Sequence, residues 1–153
     1  MYRMVKAAID TGVVIEYIDE LGLLHQQASI LFSAALAGMI ELIIPHPILA
    51  ETYYVAARVY SKLGYENPGD RASKLVEWLY RLPTVTVEEG LDLALEAGRI
   101  KHTYKIALTD CYVLAASKIH MCTAVFRKPE KEMLPNIDSL TREFKILFLE
   151  SYK

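Results

Sequence analysis

Three carboxylates stand where chemistry can use them: Asp10, Glu51 and Asp110. Asp10 directly follows a short apolar run. Glu51 is expected in the first turn of a helix beginning near Pro47. Asp110 is expected in the first turn of another helix, with Thr109 as its cap. In open α/β sheets, sites form at the carboxyl ends of strands. Each acid also has an ordinary reading: Asp10 as a helix N-cap, Glu51 and Asp110 as solvated acids favoured by the helix dipole. Together they form a pattern, because all three fall where the chain reaches one edge of a sheet. Carboxylates gathered at one spot repel one another, so such a cluster calls for cations. Magnesium and manganese suit all-oxygen ligands. Two such ions about 3.5–4 Å apart can activate a water and stabilise the leaving oxygen of a phosphodiester.

Other chemistries fit less well. The histidines (His25, His46, His102, His120) are scattered, and Cys111 and Cys122 lack zinc-ligand spacing. Two cysteines make no disulfide scaffold, and reduced thiols in a cytoplasmic protein are the simple reading. No Gly-rich fingerprint or Gly-Lys-Ser/Thr loop follows the first apolar run. An aspartyl phosphotransferase would want a second Asp where Gly12 stands. The net charge of −2 does not announce nucleic acid by itself.

The elements that must position the acids can be read from periodicity. Val5 to Ile9, Leu42 to Ile44, Thr84 to Val87, Thr123 to Phe126 and Phe144 to Leu149 read as strands. Helices are expected over Val13 to Ile18, Gln26 to Gly38, Pro47 to about Leu63, Asp70 to Tyr80, Glu88 to Lys101 and Thr109 to His120. Helices alternating with short apolar strands argue for a parallel sheet covered on both faces. At 153 residues, without a linker or repeat, the chain reads as one domain over 1–153. The most apolar run, Ile30 to Ile44, is interrupted by Ser33, Gly38 and Glu41. It falls short of the roughly 20 apolar residues of a membrane span. Arg3 and Lys6 followed by Asp10 do not make a signal peptide.

Three segments carry a family resemblance. They are Ala8-Ile9-Asp10-Thr11-Gly12-Val13, the run Ile44-Pro45-His46-Pro47-Ile48-Leu49-Ala50-Glu51, and Ile106 to Ala116 around Asp110. In order and spacing, from Val5 to about Leu149, the chain resembles a PIN domain. The resemblance implies an α/β fold, a three-layer α/β/α sandwich with a central, mostly parallel sheet. It also implies a magnesium or manganese site and phosphodiester hydrolysis. For a chain this small it implies a VapC-type toxin, an endoribonuclease that is usually dimeric and is silenced by a small antitoxin. Asp10, Glu51 and Asp110 match the family's first three acids.

The fourth acid departs from the pattern. The family has an Asp just after the fourth strand, often as Thr-x-Asp, whereas this chain has Phe126-Arg127-Lys128-Pro129-Glu130-Lys131-Glu132-Met133. Glu130 is the candidate, with Met133 in place of the apolar residue three positions on, and Glu132 is second. Otherwise both are surface charges and the site has three acids. Thr11 offers a hydroxyl beside the first acid, and Gly12 stands where relatives often carry Ser.

Charge is uneven along the chain. From Arg99 to Lys131 seven bases face two acids, giving +5 there and −7 elsewhere. A basic segment bracketing Asp110 can track a phosphate backbone. Lys105, Arg127 and Lys128 are candidate RNA contacts, as are Arg58 and Lys62, placed along the helix face of Glu51. The competing expectation is a PIN-like module with a decayed site, serving only to bind RNA or protein.

Overall fold

The computed structural model describes residues 4–152; Arg3 lies outside them. Five strands, β1 (Val5–Ile9), β2 (Ile40–Pro45), β3 (Val85–Glu88), β4 (Thr123–Phe126) and β5 (Ile146–Phe148), form one sheet in the order β3-β2-β1-β4-β5. Every neighbouring pair is parallel. Ala7, Ala8 and Ile9 are all buried, as are Leu42 to Ile44 and Ala124 to Phe126. Successive strand residues point to opposite faces, so burial of consecutive residues means that both faces are covered.

The cover consists of α1 (Thr11–Ile18), α2 (His25–Leu36), α3 (His46–Lys62), α4 (Pro68–Arg81), α5 (Leu91–Tyr104), α6 (Leu108–Ile119) and α7 (Ile137–Glu143). The α6 helix lies across β1, β2 and β4. It can do so closely because Ala115, Ala116 and Ser117 are small and buried. The α3 and α4 helices pack as a pair, and α5 packs on α6. Tyr17 and Phe32 stack with ring centroids 4.3 Å apart, tying α1 to α2.

The expected elements are present, with four differences. The sheet is wholly parallel rather than mostly so. Glu88 ends β3, paired with Pro45, instead of opening the next helix. That helix starts at Leu91 because Gly90, at φ 117°, makes the turn that a side chain would resist. The last strand contracts to Ile146–Phe148, and Leu149 begins a 3-10 turn. Finally, α7 has no counterpart in the sequence reading. Its only fully buried residue is Leu140, and a single buried position leaves no periodicity to detect. Among the described residues no helix is long and apolar enough to cross a membrane.

Candidate active site

The strand order reverses at β1. The chain passes first to β2 and β3 on one side, then crosses to β4 and β5 on the other. Such a reversal opens a crevice at the carboxyl ends of the two strands that flank it. Asp10 is the first residue beyond β1, and Arg127 the first beyond β4. The backbone N–H of Asp10 donates to the Val125 carbonyl at 3.1 Å, which pins it to that edge. Its Oδ2 accepts from the Gly12 N–H at 3.3 Å, so Asp10 also caps α1. The two readings open for Asp10 in the sequence are therefore compatible.

Glu51 lies in the second turn of α3, not the first. Pro45 closes β2 and the helix already begins at His46, with Pro47 inside its first turn. The helix dipole acts chiefly within the first turn, so it is not what holds Glu51. A hydroxyl is: Thr109 Oγ1 donates to Glu51 Oε2 at 3.0 Å. This corrects the expectation for Thr109 as a cap. Helix α6 begins at Leu108, its cap position is Ala107, and no side chain caps it. Asp110 is in the first turn of α6, as expected.

A cleft of about 440 Å³ brings these acids together: Asp10, Glu51, Asp110, Glu130 and Glu132 all line it. Glu130 sits on a turn whose carbonyl accepts the Met133 N–H at 2.9 Å, and Met133 is fully buried. Glu130 is half-buried and Glu132 is exposed. Burial, then the charge of Glu51, pushes the Asp10 carboxyl up to about 7, with Glu130 adding to the effect. Burial, then the charges of Asp10, Glu130, Glu51 and Glu132, pushes Asp110 up to about 8. Glu130 therefore acts on both buried acids, and Glu132 acts on Asp110. Asp110 Oδ2 and Thr11 Oγ1 are buried without a hydrogen-bond partner among the described residues.

Among the described residues no three His, Cys, Asp or Glu side chains close into a ready-made cation cluster. The carboxylates instead line the walls of an open cleft. Still, a buried carboxylate oxygen without a partner, in a setting that resists ionisation, is short of positive charge. Hard oxygen donors of this kind fit magnesium or manganese.

The bases divide into groups. Arg127 and Lys131 line the cleft; Arg58, Lys62, Lys105 and Lys128 do not. All four are exposed. Arg99 and Lys118 form ion pairs with Glu96 and Glu143 at 2.6–3.7 Å. Lys101 donates to the Ile106 carbonyl at 2.6 Å. The basic window is thus not a continuous free track, since acids outside it bind two of its members. Sequence reasoning missed the Thr109–Glu51 contact. It also missed Glu16, a buried acid paired with Arg127 at 3.1 Å. A signal for Glu16 existed: it falls three residues after the buried Val13, on the covered face of α1.

Residues 7–128 match the family model described as PIN domain. The chain belongs to the PIN domain family. Solved structures similar to this PIN domain include VapC20 of Mycobacterium tuberculosis, described as a sarcin-ricin loop cleaving toxin. The TM-score is 0.61 and the identity 16%, over 77% of this chain and 86% of that one. VapBC-1 from nontypeable Haemophilus influenzae is similar at TM-score 0.58 and 11% identity, over 95% and 99%. PAE2754 from Pyrobaculum aerophilum is similar at TM-score 0.56 and 16% identity, over 92% and 97%. At such identities the likeness is one of fold. Comparison with curated protein sequences gives no match.

Proposed function

We propose that this PIN domain is a metal-dependent endoribonuclease, the toxin of a VapBC-type pair, working as a homodimer in the cytoplasm and silenced by a small antitoxin. One observation carries the nuclease reading: Asp10, Glu51, Asp110 and Glu130, from four separated parts of the chain, line one cleft at the sheet's switch point. The toxin reading draws support from the shared fold with VapC20 and VapBC-1. The free thiols of Cys111 and Cys122 fit a reducing compartment.

In this reading Asp10, Glu51, Asp110 and Glu130 hold the metal. When bound, magnesium or manganese supplies Lewis-acid chemistry, neutralising charge on the phosphodiester and lowering the pKa of an attacking water. The chain's own residues do the rest. Thr109 orients Glu51. The Gly12 N–H and the capping geometry orient Asp10. Arg127 and Lys131 are the basic side chains that line the cleft among the described residues, set to receive a phosphate that the acids would otherwise repel. Arg58, Lys62, Lys105 and Lys128, exposed beyond the cleft, extend contact to flanking phosphates.

The test is cleavage of structured and single-stranded RNAs with manganese, with magnesium and with a chelator, beside Asp10→Asn. Cleavage should need both the metal and Asp10. An Asp10→Asn protein that still cuts, free of contaminating nuclease, would remove the central claim. If the wild type cuts nothing yet binds RNA, the module with a decayed site is the better reading. Arg127 and Lys128, standing where the family's fourth acid is usual, are the observation that favours it.

A further inference from the structure

The mechanism leaves one buried acid unused. Glu16, on α1, keeps only 8% of its side chain exposed. A carboxylate in that position needs partners, and it has two. Its Oε2 accepts the Leu24 N–H at 3.2 Å, and its Oε1 accepts Arg127 Nη1 at 3.1 Å. Arg127 keeps 39% of its side chain exposed and lines the acid cleft, which Glu16 does not. The arginine is therefore tethered from behind and open in front. Its guanidinium makes no other hydrogen bond among the described residues, so donors remain for a second acceptor. A planar guanidinium can serve two acceptors at once, whereas a lysine is a single point charge. Gly12 clears the space this requires: a Cβ there would meet Arg127 Cβ at 3.1 Å.

We propose that Arg127 grips a backbone phosphate of the RNA strand at the mouth of the cleft, and that Glu16 is the positioning residue that holds the guanidinium ready for it. The inference rests on the nuclease reading. The alternative role for Arg127 is to balance the cleft's acids, in which case metal binding and not RNA binding would respond to its loss.

The experiment measures binding of a fluorescein-labelled, mixed-sequence single-stranded RNA to Asp10→Asn protein without added metal, over a series of monovalent salt concentrations. Manganese affinity is measured separately by calorimetry on chains that keep Asp10, and folding by thermal melting. Losing one phosphate contact should lower the slope of log affinity against log salt by about 0.7 for a single strand. Arg127→Gln should show that drop, with manganese affinity kept. Glu16→Gln should keep the slope, since the cation remains, and weaken RNA binding about threefold as the arginine loses its restraint. If either variant unfolds, Arg127→Lys carries the test. Its compact ammonium lacks the planar fork that spans Glu16 on one side and a phosphate on the other, so affinity should fall with the slope kept. An unchanged slope and affinity for Arg127→Gln, tighter manganese binding with RNA binding unaltered, or Arg127→Lys binding like the parent would each overturn the proposal. Were the wild-type chain neither to bind nor to cut RNA with manganese present, the nuclease reading would fall and take this inference with it. With metal-dependent cleavage in the wild type and an indifferent Arg127→Gln, only the inference falls.

Discussion

The Thr109 hydroxyl donates to the Glu51 carboxylate at 3.0 Å across 58 residues of sequence, joining the two helices that carry the second and third acids. The contact leaves Glu51 Oε1 free of the bond while fixing how the carboxylate is presented. Thr109→Val keeps the shape and removes the donor. Partners that orient a metal ligand typically matter by tenfold or more in affinity, whereas one partly buried hydrogen bond contributes only about 1 kcal/mol to stability. Calorimetry should show manganese binding weakened about tenfold, and thermal melting a small loss. Thr109→Ser should restore binding. Equal manganese affinity in Thr109→Val would reduce the contact to a strut between helices.

A second expectation concerns pH. Asp10 is pushed up to about 7 and Asp110 to about 8, from an ordinary value of 3.8. Between 3.8 and those values the folded chain holds protons that the unfolded chain has released. Stability from these two groups is therefore present at low pH and declines as pH rises to about 8, opposite to a salt-bridged carboxylate. In chelator, the melting temperature should fall from about pH 6 to about pH 8. Added manganese should raise it more at the higher pH, where fewer protons must be displaced. A manganese increment independent of pH would contradict this account of the cleft.

The two glutamates of the loop after β4 should separate. Glu130 is half-buried and raises both Asp10 and Asp110, while Glu132 is exposed and is the last of the charges that raise Asp110. Glu130→Gln should weaken manganese binding about tenfold or more, and Glu132→Gln by no more than about twofold. The reverse order would make Glu132 the fourth acid.

Gly12 should tolerate little. A Cβ there would lie 3.1 Å from Arg127 Cβ and 3.3 Å from Asp10 Oδ2. Gly12→Ser, the residue relatives often carry, should cost about 1–3 kcal/mol as other overpacked sites do, measured by denaturant unfolding. Arg127→Ala in the same chain should recover little of the loss, because alanine keeps the Cβ that crowds the site, whereas Arg127→Gly should recover more. A fully stable Gly12→Ser would show that the backbone carrying the Arg127 Cβ can shift by the few tenths of an ångström required.

The sequence by itself determined the strands and most helices. Ala7 to Ile9, Leu42 to Ile44 and Ala124 to Phe126 are apolar on both parities, as a doubly covered strand requires. It also located Asp10, Glu51 and Asp110 as candidates, because acids at element ends recur in a readable order, and Glu130 through the family resemblance. Helix α7 was illegible, since one buried leucine has no period. The tertiary structure alone decided which side chains meet. Thr109 reads locally as a cap, yet its partner is 58 residues away on α3. Arg127 reads as one base among seven, yet it is bound to Glu16, 111 residues earlier. Arg99 and Lys118 read as part of a basic track, yet acids on α5 and α7 occupy them. Periodicity reports which face of an element is buried. It carries no record of what another element brings to that face, and that pairing is what separates a free charge from a tethered one.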